Sequence, residues 1–459
     1  RGVRMRNLHS ICTWGCVFVL LGACAPGAFA APKGDLSVGA ARVDITPPAG
    51  AALPMSGYAG RKQGFQGIHD HIYARAIVLS DGTHDAAIVS WELIAMPNPV
   101  WKVISQRVSS QLGIPVDNTI LTGVHDHDAP SIGTFSKPVP ASVAYMKTIE
   151  DKAFEAVRQA KANLQPAKFG FGTGKCYINI NRREYFPKQG WWWLGYNPNG
   201  PSDKTVSVLR FDTLSGKPIA LLYNYADHGT VMGPNNMEIS GDWMGAASRF
   251  IEHFYEGKFK QGRSDEGWEL QPEQNEMAGE KGIVALFAQG AAGDQNPIVS
   301  DSGQDFSMVD GLGRIMGEEV VRIANGVTLK EMSTKARIRG SQKELTCPGQ
   351  KVAPGPEPRK VYKFENSSPV NIRLSLLMLN DVAITGVSGE VLTPILQHLL
   401  KESPVKDTIM VGYANGYSGY IPNDAAYNQV SYEITTTHLK PGCAESGIVN
   451  GLVGLMNQH

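Results

Sequence analysis

Four short apolar runs organise this chain, and each empties into a polar loop. They are "ILTGV" (120–124), "LLYNYA" (221–226), "AITGVSG" (383–389) and "MVGYANG" (410–416). Apolar runs of this length, bounded by glycine or polar clusters, read as buried strands. The segments "PVWKVISQRVSSQLG" (99–113) and "ASVAYMKTIEDKAFEAVRQAKANL" (141–164) instead repeat apolar residues every three or four positions. They read as amphipathic helices, the first stopped by Gly113. "DLSVGAARVDITPP" (35–48) is an opening strand ended by two prolines, and 71–94 is a hairpin turning at Asp81-Gly82. Further strands are expected at "KFGFGTG" (168–174), "SVLRFDT" (207–213) and "GIVALFAQGAAGD" (282–294). "DWMGAASRFIEHFYEG" (242–257) is a helix with Asp242 at its cap, and 373–402 reads as strand, turn, strand, helix. The fold class is therefore α/β, with mixed β-sheets flanked by helices. Polar 257–281 and Pro- and Lys-rich 345–367 read as surface excursions. "KQGWWWLGYNPNG" (188–200) reads as a loop carrying Trp191, Trp192 and Trp193, either packed in the core or forming an aromatic platform at a pocket mouth.

The 459 residues carry 43 basic and 43 acidic side chains. Zero net charge gives no global field for nucleic acid, which is excluded as a partner class. Residues 1–30 read as a signal peptide: Arg1, Arg4 and Arg6, then an apolar run ending at Ala28-Phe29-Ala30. The product would be secreted or periplasmic. A competing reading takes "LGAC" (Leu21–Cys24) as a lipobox, which would put a lipid on Cys24 and the protein on a membrane surface. Beyond residue 30 no apolar run is long enough to span a bilayer. Cleavage after Ala30 leaves Cys176, Cys347 and Cys443, enough for one disulfide and one thiol, and the spacing does not choose the pair.

The loops after the four runs hold side chains of metal-ligand type. His125 and His127 follow the first, Asp227 and His228 the second, Glu390 the third, Tyr417 and Tyr420 the fourth. Imidazole nitrogen and carboxylate or phenolate oxygen are all acceptable donors to zinc. At a spacing of two on extended chain, His125 and His127 face the same way. Each piece alone has an ordinary reading too: a hydrogen-bonded turn, a loop histidine, a glutamate in a helix's first turn, or core tyrosines.

The ordered set "GVHDHDAP" (123–130), "NYADHGTVM" (224–232), "GAAGDQNP" (290–297), "SGE" (388–390) and "YANGYSGYIPNDAAYNQVSYE" (413–433) resembles the neutral (non-lysosomal) ceramidase family and its bacterial relatives. "GIHDHIYARAIVLSDG" (67–82) does so as well, and the resemblance runs over about 37–458. It implies a neutral-ceramidase-like zinc hydrolase domain over 36–459, without the immunoglobulin-like domain that follows in ceramidases. It implies one Zn2+ held by His125, His228, Glu390 and Tyr420. His127 then corresponds to an active-site residue that contacts substrate, Arg182 (or Arg183 beside it) to the active-site arginine, and Tyr432 to a further active-site tyrosine. Ceramidases carry their proposed nucleophile, a serine, in a "GDVSPN" turn. Here the turn reads "GDQNPI": Asp294 is kept and Asn296 occupies the serine's place. The second motif reads His-Gly-Thr where ceramidases have His-Pro.

An amide side chain is no nucleophile, but it can donate a hydrogen bond to a developing oxyanion. The implied chemistry is therefore hydrolysis of an amide (N-acyl) bond by metal-activated water. His127 would handle a proton or polarise the carbonyl, and Arg182 would stabilise the tetrahedral intermediate. Asp294 and Asp227 are second-layer candidates that orient a ligand or water. The expected partner is a small-molecule N-acyl amide or ester, smaller or more polar than ceramide. The rival readings are an ester or lactone hydrolase on a polar or glycan substrate, and a non-catalytic exported binding protein.

Overall fold

The computed structural model describes Gly2 and residues 33–61, 63–133, 139–257, 282–301, 305–327 and 330–459, with the backbone alone of 259–261 and 268–270. The signal-peptide and lipobox readings, and most of 257–281, lie outside these residues.

Two sheets lie face to face between two layers of helices. The larger has eight strands in the order Val284–Gln289, Pro218–Tyr225, Thr205–Thr213, Gln165–Lys175, Ser37–Asp44, Tyr73–Ser80, Asp85–Trp91, Thr119–Gly123. Its interior pairs are antiparallel. Its two outermost pairs are parallel: 218–225 with 284–289, and 85–91 with 119–123. The smaller sheet orders Ile338–Val352, Phe364–Leu379, Val382–Val387 and Asp407–Val411, the last two also parallel. Alternation along each strand divides the core. Ile77, Leu79, Leu222 and Leu286 meet Leu377, Leu379, Ile384 and Val411 between the sheets. Ala76 and Val78 face the helices Asn98–Leu112 and Pro140–Ala162. Leu221 and Tyr223 face Asp242–Tyr255 and Ser307–Gly326. Thr393–Glu402 and Ala444–Met456 cover the far side of the smaller sheet.

The parallel pairs bring strand C-termini together, and buried side chains stitch them. Gln289 donates from Nε2 to the carbonyls of Val124 (2.8 Å) and Asp227 (2.6 Å). Thr122 donates to the Gly412 carbonyl at 2.8 Å. Asn415 accepts from the Leu121 amide at 2.9 Å and donates to the Thr119 carbonyl at 2.8 Å. Each bond contributes about 1 kcal/mol net, but losing one strands a buried carbonyl at a cost of about 1–3 kcal/mol.

Several expectations need correction. The segment 188–200 is not a loop through the tryptophans: Trp191–Asn197 is a strand, paired antiparallel with Asn179–Phe186 in a three-stranded sheet. Within 345–367, residues 345–352 and 364–367 belong to the arms of the long hairpin 338–352/364–379, and the segment 353–363 that joins them is mostly exposed. Gly241, not Asp242, caps its helix. Asp242 is the first helical residue, and its carboxylate accepts from the amides of Val231 (3.0 Å) and Trp243 (2.5 Å). The helices 307–326 and 444–456 carried no clear sequence signal. Cys347 and Cys443 form the disulfide, joining the hairpin arm to the start of the last helix, and Cys176 is a buried thiol.

Candidate metal centre

The strand Thr119–Gly123 ends two residues before a sharp turn at His125, whose φ is +66°. A non-glycine residue held there costs roughly 1–3 kcal/mol, which the surroundings must outweigh. His125 Nδ1–H donates to the Ile94 carbonyl at 2.9 Å, which leaves the Nε2 lone pair facing inward. Asp126 forms a parallel bridge with Gly229, and the His127 amide donates to the Gly229 carbonyl at 3.1 Å. The loops after the strands 119–123 and 218–225 therefore lie side by side, and His228 comes against the His125–His127 pair. Glu390 opens the two-residue strand Glu390–Val391, in parallel register with Tyr420–Ile421, so Glu390 lies beside Tyr420.

The three histidine donor atoms lie within 4.8 Å of one another. His125 Nε2 is 3.1 Å from His127 Nε2 and 3.4 Å from Glu390 Oε2, and His228 Nε2 is 3.6 Å from the same oxygen. All four side chains are buried. Tyr417 donates to Glu390 Oε1 at 2.5 Å and Tyr413 to Oε2 at 3.3 Å, which fixes the carboxylate plane. Arg182 donates from Nη1 to His228 Nε2 (2.9 Å) and Asn296 Oδ1 (3.2 Å), from Nη2 to the Tyr420 hydroxyl oxygen (2.9 Å) and from Nε to Glu433 (2.8 Å). Tyr432 stacks edge-on against Tyr420 at 5.7 Å.

The electrostatics follow from burial. All three imidazoles are pushed below the ordinary histidine range. Burial is the main cause for each, reinforced by the other histidines at His127 and by Arg182 and His125 at His228. They are neutral at pH 7, the form that binds metal. Burial works against the charge of Arg182, but Tyr420, Glu433 and Glu390 outweigh it and hold the guanidinium firmly protonated. Burial raises the Tyr420 phenol, and Arg182 opposes that rise.

A metal fits this donor set. His125 and His228 both present Nε2 lone pairs, since each Nε2 accepts a hydrogen bond. Donors at about 2.0–2.1 Å from a tetrahedral zinc stand about 3.3 Å apart. The histidine–Glu390 separations of 3.4 and 3.6 Å are close to that spacing. His127 fits differently. With His125 Nε2 accepting, His127 Nε2 is the donor of their contact, so its proton rather than its lone pair points into the cluster.

The structure brings His125, His127, Glu390, Tyr420 and Tyr432 into the lining of a cleft of about 1180 Å³, with His228, Arg182 and Asn296 joined to them by hydrogen bonds and close contact. Asp294 is elsewhere in role: its carboxylate accepts from the Thr393 amide (2.9 Å), from Gln295 (2.9 Å) and from Asn181 (3.1 Å), and touches no cluster histidine. It bears on the site through its backbone carbonyl, which accepts from the Arg182 amide at 2.9 Å. Asp227 is fully buried and its carboxylate reaches no histidine. Arg183 turns away from the cluster to Ser431 (3.0 Å). Sequence reasoning gave no role to Glu433, although the stretch 413–433 ends on it, and missed the strap 54–61. There Tyr58 packs edge-on against His127 at 5.0 Å and Arg61 donates to the His127 and Ser56 carbonyls.

Comparison with solved structures gives the fold. The chain superposes with TM-score 0.72 on a structure described as a ceramidase complexed with C2, at 19% identity, covering 93% of this chain and 76% of that one. A neutral ceramidase from Pseudomonas aeruginosa gives 0.68 at 18% identity, covering 93% and 75%. In sequence, residues 36–344 match the family described as neutral/alkaline non-lysosomal ceramidase, N-terminal, and the chain belongs to that family. Among its relatives, neutral ceramidase A of Dictyostelium discoideum is 30% identical over 279 residues, 57% of this chain and 35% of that protein. The neutral ceramidase of Mycobacterium tuberculosis is 30% identical over 287 residues, 58% and 40%. The matched stretch thus spans well under half of these relatives.

Proposed function

We propose that this protein is an exported, zinc-dependent hydrolase of amide (N-acyl) bonds. The observation that carries the reading is the convergence of His125 Nε2, His228 Nε2 and Glu390 Oε2 at metal-ligand spacing in a buried cleft end. His125, His228, Glu390 and Tyr420 would hold the ion. When bound, zinc acts as a Lewis acid and brings the pKa of a water it holds to about 7.

The remaining residues act on the substrate. His127, with Nε2–H directed into the cluster, would hydrogen bond the reacting carbonyl oxygen and polarise it. Arg182 offers a fixed positive charge to the oxyanion of the tetrahedral intermediate. Asn296 gives its Oδ1 to Arg182, which leaves its NH2 free to be a second oxyanion donor. Tyr432 lines the cleft and orients the acyl group. Asp294 holds the Arg182 backbone. Export fits the Cys347–Cys443 disulfide, a bond of oxidising compartments. A lipid on Cys24 would add peripheral membrane association.

The test is acid release from a panel of N-acyl amides by zinc-loaded protein. Cleavage that a chelator abolishes, and that Asn296→Ala lowers by about a hundredfold in kcat, is expected. Amide cleavage that survives complete metal removal contradicts the proposal.

A further inference from the structure

We infer that Tyr413 is a positioning residue of the metal centre: its ring and its hydroxyl hold His125 and Glu390 in place for the ion and so raise the affinity for zinc. This rests on the zinc reading of the same site. The Tyr413 side chain is completely buried and reaches both proposed ligands. Its ring stacks on the His125 imidazole, with centroids 4.3 Å apart and planes 24° from parallel. Its hydroxyl lies 3.3 Å from Glu390 Oε2, the oxygen that also stands 3.4 Å from His125 Nε2 and 3.6 Å from His228 Nε2. Tyr417 donates to the other carboxylate oxygen, Oε1, at 2.5 Å. A carboxylate oxygen has two lone pairs, so Oε2 can accept from Tyr413 and still serve a metal.

The backbone is bent to put this side chain there. Tyr413 has φ +54°, in the left-handed region that a bulky residue rarely occupies. Glycine would enter that region without strain. The chain holds a tyrosine in it by anchoring four consecutive amides on three other segments. Gly412 donates to the Gln289 carbonyl (2.9 Å), Tyr413 to Gly389 (3.1 Å), Ala414 to Val387 (3.0 Å) and Asn415 to Leu121 (2.8 Å). Strain of this kind persists only where the surroundings over-determine it, and it collects at sites that hold ligands. The bond to Gly389 ties the Tyr413 backbone to the residue before Glu390. Amide and hydroxyl of one residue thus grip the same strand end.

Filling space does not account for the hydroxyl. A phenylalanine would make the same apolar contacts with Ile94, Ala95 and Tyr417. A phenol taken from water costs free energy unless it finds an acceptor, and the acceptor here is Glu390 Oε2. Ile94, from the same small cluster, gives its carbonyl to His125 Nδ1–H. His125 is therefore held at one edge by Ile94 and on one face by Tyr413, with Nε2 left for the metal. Residues that orient ligands in this way matter to binding: losing one weakens metal affinity by about 10–100-fold.

The experiment measures zinc Kd by competition with a chromophoric chelator, and the Tm of zinc-free protein beside it, for wild type, Tyr413→Phe and Tyr413→Leu. Tyr413→Phe keeps the stack on His125 and loses only the hydroxyl; Tyr413→Leu loses both. Zinc Kd is expected to rise about tenfold in Tyr413→Phe and about a hundredfold in Tyr413→Leu. The zinc-free Tm of Tyr413→Phe is expected to stay near that of wild type, and its amide cleavage to recover in excess zinc. A wild-type zinc Kd in Tyr413→Phe overturns the inference and leaves the zinc reading standing. Tyr413→Phe that does not fold without zinc, or that loses Tm with no change in Kd, marks Tyr413 as a core residue and overturns the inference as well. A wild type that takes up no zinc overturns the zinc reading and the inference with it.

Discussion

His125, His127 and His228 are buried, close enough to repel one another's charge, and surrounded by a fixed arginine. Each therefore resists protonation in the folded chain. In the unfolded chain each titrates near 6.5. Folded pKa values below the unfolded ones mean that the unfolded state binds more protons in acid. The associated stability is complete above about pH 6.5 and is lost as pH falls through the depressed folded values. Metal-free protein should accordingly show a Tm that falls as pH is lowered from about 7 to about 5, less steeply in His228→Asn. A Tm that is flat for wild type, or equally steep in the variant, would contradict this account of the histidines. The histidines themselves were legible in the sequence, because two histidines in a strand-end loop are a local signal; the extended chain expected between them was not found, since His125 sits at φ +66°. The proton arrangement was not legible: it depends on Ile94 and Arg182, 31 and 46 residues away from the rings they contact.

The element that aims Arg182 is an irregular strand. Pairing of Asn179–Phe186 with Trp191–Asn197 slips between Asn181 and Arg183, and such a slip re-aims side chains. Arg182 and Arg183 consequently both reach Glu433, in the short helix Tyr432–Thr436. Glu433 is completely buried. Removing its charge leaves two buried guanidinium groups without their counter-ion, at a cost of about 3–5 kcal/mol. Glu433→Gln should lower Tm and reduce amide cleavage more than zinc content, because Arg182 is displaced while the metal donors remain. Unchanged activity would remove Arg182 from the mechanism. Nothing in "NQVSYE" announces this, since the partner lies 251 residues upstream. The helix 307–326 was illegible for a different reason. Gly313 and Gly317 weaken its helical signal, yet a Cβ on either would stand 2.4 Å from Ala246 or 2.5 Å from Phe250. Close contact with the helix 242–255 demands the glycines that obscure the pattern. The long hairpin was hidden because much of its first arm is half-buried or exposed and carries Pro348 beside a bulge.

Across the whole molecule, the α/β class and its central buried strands were readable because runs such as "VALFAQ" and "ILTGV" are covered on both faces. The order of those strands was not, because register between sheets is set by Gln289, Asn415 and Thr122, polar residues with no pattern of their own. The same stitching converts four separate strand ends into one site. That site is proposed to hold one zinc ion through His125, His228, Glu390 and Tyr420. Elemental analysis of the purified protein, with His125→Ala and His228→Ala alongside, tests it most directly. About one zinc per wild-type chain and a large loss in both variants are expected. A wild type that takes up no metal when zinc is supplied, or variants that retain it fully, would contradict the claim.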